Sequence, residues 1–169
     1  MNNLFYFGMA CLMAIFFGCS KEADYNLVES GCVDLGLPSG TRWQAVGETN
    51  PTDQSNFFTY SEATEAFGAS LSTKAQLGEL VKECNWQWNE DKNGVVIVVG
   101  PNDNAILLPL TGYRRADGAV MYANSYGYMW TSTADGDGSA WYLRYNTTQV
   151  GLDTVSQAMG MGVRLVQNK

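Results

Sequence analysis

Between residues 59 and 84 the apolar positions recur at helical spacing, and after residue 85 they recur at every second position. Thr59 and Glu62 stand at capping-box spacing, Tyr60, Ala63 and Phe67 share one helical face, and Gly68 supplies a stop. A second capping box, Thr73 with Gln76, opens a helix whose Leu77, Leu80, Val81 and Cys84 fall at i, i+3, i+4 and i+7, so Cys84 is expected to point inward. Gly78 sits inside that helix at a cost of about 1 kcal/mol against alanine, with no reason visible in the sequence. Upstream, Val33 to Trp43 alternates around Pro38-Ser-Gly40, predicting a hairpin, and Asn50 to Asn56 predicts a surface loop. Downstream, the spacing predicts strands at Trp86-Gln-Trp88, Val95 to Val99, Ala105 to Leu110, Tyr126 to Ser132, Ala140 to Asn146 and Gly162 to Val166. Two helices followed by many short strands define an α+β domain.

One stretch breaks both periods. Leu4 to Phe17 is an uninterrupted apolar run ending at Gly18-Cys19, shorter than the roughly 20 residues a membrane span needs. Ser20-Lys-Glu-Ala-Asp24 then turns polar. The pattern resembles a bacterial lipoprotein signal peptide over 1–18, with Cys19 as the lipidated first residue of the mature chain; the other reading is an uncleaved apolar anchor. Ser20 to Asp24 is similar to the acidic export tags of Bacteroidetes surface lipoproteins. The expected protein is therefore an outer membrane lipoprotein held by its acyl chains, facing the surface or the periplasm. Residues 19–30 read as a tether of at most about 35–40 Å, and residues 31–167 as the domain.

A net charge of −7 without any basic cluster excludes nucleic acid as a partner. The chain has no histidine, which removes the commonest general base and metal ligand. Outside the leader the cysteines are Cys32 and Cys84. An oxidising compartment predicts a bridge between them, stabilising by about 4 kcal/mol in the chain-entropy model; the alternative is two buried free thiols.

Gly31-Cys-Val-Asp-Leu-Gly-Leu-Pro-Ser-Gly-Thr-Arg-Trp43, Ser72-Thr-Lys-Ala-Gln-Leu77, Cys84-Asn-Trp-Gln-Trp88, Leu108-Pro-Leu-Thr-Gly-Tyr-Arg114, Ser125-Tyr-Gly-Tyr-Met-Trp-Thr-Ser132 and Gly162-Val-Arg-Leu-Val166 occur in one order. Together they resemble the Fibrobacter succinogenes major paralogous domain, a family of secreted and lipid-anchored bacterial modules. Ser72 departs from it where a proline usually precedes Thr-Lys. The resemblance implies a C-type lectin-like fold, related to formylglycine-generating enzymes and to variable proteins of diversity-generating retroelements. The former chemistry needs two cysteines near the C-terminal site, and no cysteine follows Cys84. In the latter, the C-terminal region carries the binding residues.

Asp135-Gly-Asp-Gly138 invites a calcium reading, but the fifth, sixth and twelfth positions hold Ser139, Ala140 and Asn146, so a solvated hairpin turn is the better assignment. No metal or other cofactor is expected. The aromatics Tyr126, Tyr128, Trp130, Trp141 and Tyr145 alternate with hydrogen-bonding residues, and rigid aromatics suit stacking on a sugar ring or a protein loop. Trp130 and Trp141 are assigned to the core, and Tyr128 and Tyr142 to the surface. The expected ligand-binding set is Tyr128, Asp135, Asp137, Ser139, Tyr142 and Arg144. Asp153-Thr-Val155 resembles the Bacteroidetes O-glycosylation pattern, placing a candidate modification at Thr154. The functional expectation is a non-catalytic binding module for a glycan or protein; the alternative is a structural or adhesive envelope component without a small ligand.

Overall fold

The computed structural model describes residues 25–88 and 94–168. The expected signal peptide, Cys19, the start of the tether and residues 89–93 lie outside them. Among the described residues the chain is α+β, with two short helices and twelve mostly antiparallel strands. No described helix is long and apolar enough to cross a membrane.

The domain begins earlier than expected. Strand β1 (Asn26–Leu27) pairs in parallel with β6 (Asn104–Pro109), and Val28 packs on the main core, so residues assigned to the tether belong to the fold. Tyr25 and Leu27 give the reason: they cover Ile97, Val99 and Ala105, which would otherwise face water. The expected hairpin is present as β2 (Cys32–Asp34) and β3 (Arg42–Gln44), with Val33 opposite Trp43. Both helices carry the predicted caps. Thr59 Oγ1 accepts from the Glu62 N–H while the Glu62 carboxylate accepts from the Thr59 N–H at 2.7 Å, opening α1 (Tyr60–Phe67). Thr73 and Gln76 do the same for α2 (Lys74–Glu83), which buries Leu77 and Leu80 completely.

Strands β4 (Asn85–Trp88) and β5 (Val95–Val99) join β6 and β1 in the order β1-β6-β5-β4. The unbroken apolar run of β5 reflects burial on both faces: Val96 and Val98 enter the main core, Ile97 and Val99 the small cluster under Tyr25. A two-stranded ribbon, β7 (Tyr113–Arg114) with β8 (Val120–Met121), leads to the second sheet. That sheet is β9 (Gly127–Gly136), β10 (Ser139–Tyr145) and β11 (Val150–Ser156), in the order β11-β10-β9. Strand β11, not foreseen in the sequence, pairs with β10 along its whole length. The chain closes with β12 (Val166–Gln167) against β3.

The β9–β10 sheet divides two cores. Met129, Leu143 and Tyr145 point into the main core beneath β3, β5, β6 and α2, whereas Tyr128, Trp130, Ala140 and Tyr142 point into a second core beneath α1 and Phe58. Trp130 is fully buried and its indole N–H donates to the Phe58 carbonyl at 2.8 Å, as its core assignment requires. The surface assignment of Tyr128 and Tyr142 is corrected: they are 6% and 8% exposed. A strand covered on one side alternates between core and solvent, but this one is covered on both, so the alternation separates two cores. Trp141, assigned to the core, is only half-buried, with the Lys74 ammonium 3.1 Å above its ring centre.

Candidate functional site

Register builds the candidate site. In β9 and β10, Arg144 pairs opposite Tyr128 and Tyr142 opposite Trp130; in β10 and β11, Tyr142 pairs opposite Asp153. Residues paired across antiparallel strands project to the same face. Arg144, Asp153 and the phenols of Tyr128 and Tyr142 therefore share one face. The Tyr128 and Tyr142 rings stack with centroids 5.9 Å apart.

Three further tyrosines extend this pair outward. Tyr113, on the β7–β8 ribbon, meets Tyr128 edge-on at 5.0 Å, and Tyr126 lies 6.1 Å from Tyr128. Tyr122 contacts both Tyr113 and Tyr126, at 6.1 and 5.7 Å. It is 54% exposed and its φ is +58°, a left-handed conformation uncommon for a bulky residue. The Tyr122 carbonyl accepts from the Ser125 and Tyr126 N–H groups, both at 3.0 Å, so the turn is fixed in this shape. The result is five tyrosines graded from a buried base at Tyr128 and Tyr142 to an exposed rim at Tyr122. Beside it, Tyr126 and Arg144 also line a depression of about 490 Å³ with Thr148, Gln149 and Gly151.

The electrostatics follow from burial. Burial, with the neighbouring Tyr142 oxygen, pushes the Tyr128 phenol up to about 12, although Arg144 pulls the other way. Tyr142 is also raised, by burial first and by the Asp153 carboxylate second. At neutral pH both hydroxyls are protonated donors. The face thus combines hydroxyl donors, a guanidinium and a carboxylate with stacked aromatic rings.

The other expected ligand residues lie elsewhere. Asp135, Asp137 and Ser139 form the tip of the β9–β10 hairpin, where Gly136, Asp137 and Gly138 all take positive φ and both aspartates are exposed. Between tip and tyrosines, β9 bulges: Tyr142 pairs with Trp130 but Ala140 with Ala134. Thr131 Oγ1 donates to the Trp141 carbonyl at 2.9 Å, and the Ser132 N–H crosses to the Ser72 carbonyl at 2.8 Å. The expected set therefore splits into Tyr128, Tyr142 and Arg144 on the sheet face and Asp135, Asp137 and Ser139 at the hairpin tip.

The expected Cys32–Cys84 bridge is corrected: both thiols are free. Val33 turns into the main core, so its strand neighbour Cys32 turns outward and is exposed, whereas Cys84 packs against that core at the end of α2. Burial, helped by Glu79 and Glu83, pushes the Cys84 thiol up to about 12. Thr154 is half-buried in the edge strand β11, opposite Trp141. The expected ligand set omitted Tyr113, Tyr122, Tyr126 and Asp153. Asp153 had a signal, since it stands in the flagged Asp153-Thr-Val155 triplet; Tyr122 had only its spacing of four residues from Tyr126, since its contact with Tyr113 comes from β7–β8 pairing. No family model, curated protein or solved structure matches the chain.

Proposed function

We propose that the protein is a non-catalytic, lipid-anchored extracytoplasmic binding module with a C-type lectin-like fold, which holds a glycan or protein ligand on its tyrosine face. The observation that carries this reading is Tyr122, a half-exposed aromatic kept in a strained left-handed conformation against Tyr113 and Tyr126. A rigid tyrosine offers stacking area at a low cost in conformational entropy. The Tyr128 and Tyr142 hydroxyls, Arg144 and Asp153 supply directional hydrogen bonds around that platform. The anchor at Cys19 keeps the platform at the outer membrane.

The test is binding of the full-length chain, in detergent, to a glycan array and to proteins of the outer envelope. Binding lost in Tyr122→Ala and Arg144→Ala, at unchanged melting temperature, is the expected result. Binding that survives both substitutions overturns the assignment of the site.

A further inference from the structure

Nearly every cation among the described residues already has a partner. Lys82 pairs with Glu83, Arg114 with Asp53 and Arg115 with Asp117. Arg42 and Arg164 donate to backbone carbonyls, and Lys74 lies over the Trp141 ring. Arg144 is the exception. It is exposed, and no carboxylate of the described residues lies within 4.0 Å of it, in a chain whose net charge is −7.

Register opens space beside this side chain. Arg144 stands between Tyr128 on β9 and Gly151 on β11. Gly151 has no side chain, and a Cβ built there would meet nothing within 4 Å. The depression of about 490 Å³ lies at this gap, within the range of roughly 300–1,000 Å³ typical of small-ligand sites. Arg144 is the only charged residue that lines it. Asp153 stands one row further along the sheet, opposite Tyr142, and its carboxylate accepts from the Thr154 N–H at 2.8 Å. Tyr126 forms an aromatic wall, held against Tyr122 and Tyr128 with centroids 5.7 and 6.1 Å apart. Thr148 and Gln149 form a polar wall. Asn146 Oδ1 accepts from both of their N–H groups, at 2.9 and 2.7 Å, and so fixes the turn that carries them.

We infer that the tyrosine face selects a sugar bearing a carboxylate, a uronic acid residue of a glycan, and that Arg144 reads the carboxylate. Such selectivity rests on the tyrosine face being a ligand site, and it narrows the ligand to one chemical class. The planar guanidinium matches a carboxylate through two parallel N–H donors. The C–H face of the sugar ring stacks on Tyr126, and its hydroxyls meet the Thr148 and Gln149 side chains. A pyranose uses the aromatic and polar walls together, whereas an acidic peptide side chain would use Arg144 alone.

The probes are the trimers of galacturonate, glucuronate and mannuronate, each beside its methyl ester, with triglutamate as the peptide control. They are titrated by calorimetry into the full-length chain in detergent. At least one acid is expected to bind saturably, about tenfold or more tightly than its uncharged ester. Arg144→Gln changes an exposed side chain without native partners, so the fold is kept, and the acid should fall to the affinity of its ester. No saturable binding of any acid, equal affinity for acid and ester, or a preference for the acid that persists in Arg144→Gln would each overturn the inference. Triglutamate binding as tightly as the acids would also overturn it, by making charge alone the determinant. Tyr122→Ala separates this result from the assignment of the face: binding that Tyr122→Ala abolishes but that ignores the carboxylate leaves the tyrosine face as a ligand site and removes only its selectivity.

Discussion

Tyr128 and Tyr142 stack across neighbouring strands with their ring planes 30° apart, and Arg144 stands opposite Tyr128 in the ladder. The pair forms both the base of the tyrosine face and part of the second core, which ties the candidate site to the stability of the domain. An alkaline limit follows. Both phenols are raised above their unfolded value near 10, Tyr128 to about 12. A raised pKa contributes stability that is fully present below the unfolded value and is lost as pH climbs through the folded one. Stability should therefore hold to about pH 10 and fall between about pH 10 and 12. Urea midpoints across that window check it, and Tyr128→Phe, which cannot ionise there, should show a shallower decline than the parent chain.

Gly78 yields the opposite kind of prediction. It occupies the interior of α2, where glycine costs about 1 kcal/mol against alanine. A Cβ added there would lie 3.7 Å from Leu152 Cδ1, an ordinary van der Waals contact. Gly78→Ala should stabilise the domain by about 1 kcal/mol, raising the melting temperature by roughly 2–4 °C. A melting temperature that falls would mean that α2 cannot tolerate the added methyl against β11.

What was legible in the sequence was local. Both capping boxes, the Val33–Trp43 hairpin and the Val95–Val99 strand are set by residues within a few positions of one another, and all four are present. What escaped depends on which surfaces meet. The alternation in Gly127 to Tyr145 identified two faces, but not that both are covered around Trp130, so Tyr128 and Tyr142 were assigned to water. Strand β11 was missed because Gly151 and Asp153 interrupt its apolar pattern; pairing with β10 decides its conformation instead. Tyr122 joins the face through the short β7–β8 ribbon, which brings Tyr113 to it, and through its contact with Tyr126, pairings that no apolar period marks.

The two thiols should differ sharply in reactivity. Cys32 is exposed on β2, whereas Cys84 is partly buried and its thiol is pushed up to about 12, which leaves almost no thiolate at neutral pH. Brief alkylation of the folded chain without reductant, followed by peptide mass mapping, should label Cys32 fast and Cys84 slowly. Both should label readily once the chain is unfolded. A disulfide-linked peptide joining the two would contradict the free-thiol arrangement.

A tight steric constraint lies one residue from the tyrosine face. Gly127 pairs directly opposite Tyr145, and a Cβ added at Gly127 would sit 2.1 Å from Tyr145 Cζ. The ring cannot withdraw easily. It is 1% exposed, its hydroxyl donates to the Pro109 carbonyl at 2.9 Å, and it packs against Trp86 with centroids 5.8 Å apart. Gly127→Ala must therefore displace either the ring or the start of β9, and overpacking of this kind should cost about 3 kcal/mol. The cause is contact rather than backbone conformation, so shrinking the partner should relieve it. Tyr145→Val is destabilising alone through the cavity it leaves and the hydrogen bond it removes. The double variant Gly127→Ala with Tyr145→Val should nevertheless be more stable than the sum of the two losses predicts, because the alanine methyl enters space the ring has vacated. Chemical denaturation of the four proteins measures the coupling, and strict additivity would show that Gly127 is required for some reason other than the approach of Tyr145.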